Sequence, residues 1–216
     1  METMTANVLS VETVLHWLRN CAETYEQHKD ELTGLDAAIG DADHGANMAR
    51  GFTAVEGKLA GLKDKDLGTI FKTVAMTLIS TVGGASGPLY GTFFLMAVPG
   101  ADGKTALTQE ELVTVFGAGL QGLMNRGKAV VGEKTMVDAL VPALEALRPV
   151  AHDSLSAAVD RAVAAAKKGA DSTVPLVAKK GRASYLGERS AGHLDPGAAS
   201  SVLLLEALQQ AIHSPA

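Results

Sequence analysis

The chain has 216 residues, a formal charge of −5, 47% hydrophobic but only 4% aromatic residues, and 23 glycines. That length supports one sizeable core, and so few aromatic side chains argue against a β-sandwich and for closely packed helices in a single domain spanning 1–216. The acidic balance excludes a general nucleic-acid binder, which needs a basic face. Cys21 is the lone cysteine, the N-terminal "METMTANVLS" lacks the basic region and apolar stretch of a signal peptide, and the longest apolar run is "FFLMAV" at Phe93–Val98. A cytoplasmic protein with no membrane-spanning segment is therefore expected.

Val11, Val14, Leu15, Leu18, Ala22 and Tyr25 recur at helical steps and define a first amphipathic helix entered at Ser10. Further helical segments run over 47–62, 66–80 and 88–98. Thr108 and Glu111 have capping-box spacing ahead of the stripe Leu112, Val115, Phe116, Gly119, Leu120 and Leu123. A helix over 136–147 contains Pro142, which should bend it. Ser154 opens the next, with Lys167 and Lys168 in the last turn and Gly169 as its stop. A last helix covers 196–212. Eight helices with short connections suggest an all-α up-and-down bundle, with glycines gathered in the connections.

The chemistry concentrates in "TGLDAAIGDADHGANMARGF", 33–52. Asp36, Asp41 and Asp43 offer hard carboxylate oxygens without cysteine, a ligand set suited to magnesium or calcium. An EF-hand is excluded, because counting from Asp41 the fifth position is Gly45 and the twelfth Phe52. The plain alternative is that Asp43 caps a helix starting at His44 while the other two aspartates are solvated. Three clustered carboxylates repel unless a cation joins them, which favours a metal site and raises the value of the adjacent His44.

"STVGGASGPLYG" runs Gly83 to Gly87 into Pro88, a small-residue turn at a helix start where backbone N–H groups can meet an anion. "GHLDPGAAS" repeats the design with Asp195 as N-cap and Pro196 at the first helical position. Two Walker A look-alikes fail: "GLMNRGKA" has Ala129 where a hydroxyl belongs, and "GKAVVGEKT" is one residue too long. In "KKGRASYLGERS", Lys179, Lys180, Arg182 and Arg189 form the densest basic segment. At least two of these should be solvated, and Arg182, between Gly181 and Ala183, is best placed to leave the surface and meet a phosphate.

Four blocks, "LDAAIGDADHGANMARGF", "GGASGPLYGTFF", "GEKTMVDAL" and "KKGRASYLGERSAGHLDPGAAS", closely resemble the nucleotide-binding L subunit of dihydroxyacetone kinases, with similarity from the first helix to the last. The resemblance implies an eight-helix antiparallel barrel that holds a nucleotide diphosphate, ADP or ATP, through two magnesium ions in the loops at one end. It makes Asp36, Asp41 and Asp43 the metal ligands and places His44, Gly45, Ala46 and Asn47 against the nucleotide. It gives Ala85 and Ser86 to a phosphate turn, and Gly127 and Met136 to the adenine and ribose side. Arg182, Asp195, Pro196 and Gly197 close the site, with Arg182 the catalytic residue. The implied partners are a K subunit holding dihydroxyacetone and a phosphohistidine-carrying M subunit of the sugar phosphotransferase system. An ATP-dependent kinase for a short ketose, or a module that binds a transcription regulator, remain the alternatives.

Overall fold

The structure is a computed structural model that describes residues 7–148 and 153–214. Nine α-helices dominate these residues: α1 (Val11–Gln27), α2 (Lys29–Ile39), α3 (His44–Leu59), α4 (Leu67–Thr81), α5 (Ser86–Ala101), α6 (Gln109–Gly127), α7 (Met136–Ala146), α8 (Leu155–Asp171) and α9 (Pro196–His213). A two-stranded antiparallel ribbon, β1 (Val8–Ser10) on β2 (Ala106–Thr108), pairs Leu9 with Leu107, both fully buried.

Helix starts follow local chemistry. The Ser10, Asp66, Thr108 and Ser154 side chains each accept a backbone N–H of the first turn, at the starts of α1, α4, α6 and α8. Thr108 and Glu111 form the reciprocal capping box expected from their spacing. Tertiary contacts follow chain order: α1 lies on α3, α3 on α4, α4 on α5, α5 on α6, α6 more lightly on α7, α7 on α8, and α8 on α9, which returns to α1. This circuit surrounds a core in which Trp17 lies 5.8 Å from both Phe94 and Phe116, ring centre to ring centre. Its indole N–H donates to the Leu204 carbonyl at 2.9 Å, so the largest core side chain leaves no buried donor unmet.

Several elements depart from sequence expectation. Helix α2 occupies part of what reads as a connection, because its sequence KDELTGLDAAI is polar and buries only Leu32, Asp36 and Ile39, too narrow a stripe to announce itself. Helix α3 starts three residues earlier than expected, at His44. Gly169 does not stop α8, which runs to Asp171. A Cβ there would collide with the Asp138 carbonyl and Pro142 of α7, so this glycine permits a close helix crossing. Helix α7 continues across Pro142. The Asp138 carbonyl, which Pro142 cannot bond, is the group that faces Gly169.

Candidate functional site

A cavity of about 480 Å³ opens where α2, α4 and α6 end and α3, α5, α7 and α9 begin. From α4 to α9, each helix therefore runs opposite to the one before it. Four helix N-termini, each with partial positive charge and outward-facing N–H groups, converge on one space. Helix α5 starts at Ala85, whose side chain cannot cap it, so its first amides are free to meet an anion.

The negative side of the cavity is the 36–43 segment. Asp36, Asp41 and Asp43 each offer a carboxylate oxygen, and these lie within 4.8 Å of one another. Among the described residues this is the one group of three or more such side chains so arranged. Asp36 is buried at the end of α2, and its Oδ2 accepts the backbone N–H of Asp43 at 2.9 Å and of His44 at 3.1 Å. The cap of α3 therefore comes from Asp36, not from Asp43, whose side chain caps nothing. Gly40 is required beneath it, since a Cβ would collide with the Asp36 carboxylate. Ala42, between the other two aspartates, has φ of 61°, a strained conformation for alanine that turns Asp41 and Asp43 toward the same space. Hard oxygen donors this close fit a divalent cation, which removes their mutual repulsion.

A polar chain supports the site from below. Ser86 Oγ lies 3.1 Å from His44 Nδ1, His44 Nε2 lies 2.9 Å from Ser200 Oγ, and Tyr90 OH lies 2.7 Å from that same hydroxyl. Burial pushes the His44 pKa below its ordinary value, against the pull of Asp36 and Asp43. Burial likewise lifts Tyr90 to about 12. The chain joins α3, α5 and α9, so three of the converging N-termini are fixed relative to one another.

On the opposite wall Leu89, Leu123, Ala129, Met136 and Val137 form an apolar slot beside Gly127. Thr135 caps α7 in a reciprocal box with Asp138, and Asp195 caps α9 by accepting the Ala198 N–H at 2.7 Å. Asp195 is buried, and desolvation raises its pKa to about 7 despite the nearby Lys134. Gly197 brings α9 against the start of α7, where an added Cβ would sit 3.6 Å from the Met136 backbone nitrogen.

Most residues singled out in the sequence line this cavity: Asp36, Asp41, Asp43, His44, Ala85, Ser86, Gly127, Met136, Arg182, Asp195, Pro196 and Gly197. Gly45, Ala46 and Asn47 lie behind its lining. Gly45 packs against the Lys29 carbonyl and Thr33 of α2, and Asn47 supports Gly83 while accepting from Arg50. Arg182 has not left the surface: its side chain is 68% exposed at the cavity mouth, with Nε 2.8 Å from Asp41 Oδ2. Lys180 also lines the cavity, whereas Lys179 and Arg189 are exposed. Sequence reasoning missed Lys134 and Thr135 as lining residues, although Thr135-x-x-Asp138 carries a capping signal in plain view.

Helix ends of one sign facing carboxylates of the other, in an all-α frame, are chemically suited to a phosphorylated ligand held together with divalent cations. The DAK2 domain model matches residues 38–210, and the chain belongs to that family. It is 48% identical over 202 residues to the ADP-binding subunit DhaL of the PEP-dependent dihydroxyacetone kinase of Escherichia coli K12, covering 93% of this chain and 96% of that one. It is 45% identical over 205 residues to the ADP-binding subunit DhaL of the PTS-dependent dihydroxyacetone kinase of Lactococcus lactis, covering 95% of this chain and 100% of that one. The solved dihydroxyacetone kinase of C. freundii in complex with AMP-PNP and Mg2+ matches with a TM-score of 0.70 at 28% identity. The match covers 91% of this chain but 33% of that longer one. No helix among the described residues is long and apolar enough to cross a membrane.

Proposed function

We propose that this chain is the ADP-binding subunit of a phosphoenolpyruvate-dependent dihydroxyacetone kinase, acting in the cytoplasm as one nucleotide-binding unit. Its bound ADP accepts a phosphoryl group from a phosphohistidine on an M subunit and passes it to dihydroxyacetone held on a K subunit. The observation that carries this reading is the meeting of three carboxylates with four helix N-termini in one cavity, in a chain alike over nearly its whole length to ADP-binding subunits. A volume of about 480 Å³ is in the range of small-molecule sites and suits a nucleoside diphosphate.

Asp36, Asp41 and Asp43 would hold two magnesium ions, which neutralise phosphate charge when bound. The uncapped start of α5 at Ala85 and Ser86 receives phosphate oxygens, while Gly127, Met136 and the neighbouring apolar slot take the base and ribose. Arg182 carries a positive charge at the mouth. Its guanidinium is close enough to the carboxylates to exchange one anionic partner for another, and it would stabilise charge that spreads over the transferring oxygens. In this reading the residues act by binding, orienting and neutralising charge, with no covalent step on the chain itself.

A second reading, in which ATP exchanges freely as substrate, is favoured by the AMP-PNP bound to the C. freundii kinase. The test mixes the purified chain with K subunit and dihydroxyacetone, supplying either ATP alone or phosphoenolpyruvate with the phosphotransferase proteins. Sustained turnover only with the phosphoprotein, together with labelled ADP that survives gel filtration, is the expected result. Rapid multiple turnover on ATP alone, with free nucleotide exchange, establishes the second reading instead.

A further inference from the structure

Lys134 has an unusual backbone and an unusual side-chain position. Its φ is 62°, in the left-handed region that is strained for a lysine, and its side chain is only 1% exposed. A buried ammonium persists only when its N–H groups are bonded. Here Nζ donates to the Thr173 carbonyl at 2.6 Å and to the His193 carbonyl. Asp195 and Asp138 add favourable charge, while desolvation holds the lysine below its ordinary pKa.

The two accepting carbonyls are not scattered through the core. They stand at the two ends of the long connection between α8 and α9, the segment that carries Lys180 and Arg182. The neck of that loop is also closed by Gly192 N–H on the Val174 carbonyl at 2.7 Å and by Asp195 N–H on Thr173 Oγ1 at 3.0 Å. Within the loop, Lys179 N–H donates to the Glu133 carbonyl at 3.1 Å, and Lys180 Nζ lies 3.6 Å from Glu133 Oε2. Residues 133 and 134 thus hold one loop at its neck and at the approach to Arg182. In the sequence this is the lysine of the failed second Walker A match, and its ammonium is committed to carbonyls.

We propose that Lys134 is a positioning residue for phosphoryl transfer, clamping both ends of the 173–193 loop so that Arg182 is held at the phosphates. This rests on the reading under Proposed function. A compact ammonium suits the task, because it can donate to two backbone oxygens at once from the end of a flexible stem. Placement errors near 1 Å cost about 100-fold in rate, so a clamp distant from the reacting atoms can matter to kcat.

The test uses the full chain with Lys134→Met, Lys134→Arg and Arg182→Ala. In ligand-free protein, Lys134→Met should lower amide-exchange protection across 174–192 by about tenfold or more, with α1 and α4 unchanged. In the assembled system it should reduce kcat about 10- to 100-fold while changing ADP affinity less than about threefold, with partial rescue by Lys134→Arg. In an Arg182→Ala background, Lys134→Met should cost less than about twofold more, because both changes remove the same placed group. Unchanged exchange in the loop, losses that multiply in the double variant, or rate and affinity falling together with melting temperature would each overturn the proposal. If Lys134→Met does not fold, Lys134→Gln, whose side chain is one bond too short to reach both carbonyls, takes its place in every arm with the same outcomes. If the unaltered chain neither binds ADP nor transfers phosphate, the functional reading fails, and the exchange measurement alone still decides the clamp.

Discussion

The two ends of the helix circuit begin their helices in different ways. Away from the cavity, α1, α4, α6 and α8 each start on a side chain of their own, from Ser10, Asp66, Thr108 and Ser154. At the cavity, α5 starts on Ala85 with no side-chain cap, and α3 borrows its cap from Asp36, at the far side of a loop. Only α7 and α9 are capped locally there, by Thr135 and Asp195. The first end spends its polar side chains on stability. The second leaves backbone donors and carboxylates facing a shared space, where a ligand can take the part that caps play elsewhere.

The sharpest way to break this comparison is to neutralise the carboxylates. Replacing Asp41 or Asp43 with Asn should weaken ADP binding in the presence of magnesium by more than about 100-fold, since even outer-shell partners of a metal cost 10- to 100-fold. Neither change should lower the melting temperature of the ligand-free chain, because neither side chain caps a helix. Asp36→Ala should show the same loss of affinity and also destabilise the fold by about 1 kcal/mol, through its cap on α3. Calorimetry with ADP and magnesium checks all three, and unchanged affinity throughout would remove the cluster from the site.

Ligand linkage should be nearly as large. ADP and magnesium at 100 times the dissociation constant should stabilise the chain by about 2.7 kcal/mol, and a chelator should abolish most of that shift in a thermal melt. Coincident melts with and without chelator would mean that the open helix ends gain nothing from a ligand.

Asp195 sharpens the comparison further, because it caps a helix at the functional end under full burial. Its folded-state pKa is about 7, against 3.8 for the ordinary group. Between those values the folded chain retains a proton that the unfolded chain releases, so this group's contribution is full below about pH 4 and is lost as pH rises toward 7. The slope is at most about 1.4 kcal/mol per pH unit. Urea midpoints from pH 5 to 8 should fall in the unaltered chain relative to Asp195→Asn, and parallel curves would refute the assignment.

At the far end the effects should be smallest. Ser10→Ala and Ser154→Ala should each cost about 1 kcal/mol in denaturant unfolding and leave ADP affinity unchanged. A binding defect in either variant would show that the two ends are not independent.

The sequence made the far end readable because its signals are local. Ser10, the Thr108 and Glu111 pair and Ser154 sit beside the apolar stripes they introduce, and short-range hydrogen bonds set those helix starts wherever the rest of the chain goes. The aspartate cluster and the small-residue turn at Gly83 to Gly87 were legible for the same reason, as concentrations of one chemistry within a few residues. Helix α2 was not, because its burial depends on α3, α9 and the 182–190 segment more than on a strong stripe of its own. Tertiary structure alone decided that Asp36 caps α3, that Gly169 is a crossing point and that Asn47 stands behind Gly83. It alone joined Lys134 to Thr173 and His193, 39 and 59 residues away. Propensity and spacing act over one or two helical turns, whereas burial of a charge or the approach of two backbones depends on residues that only the closed circuit brings together.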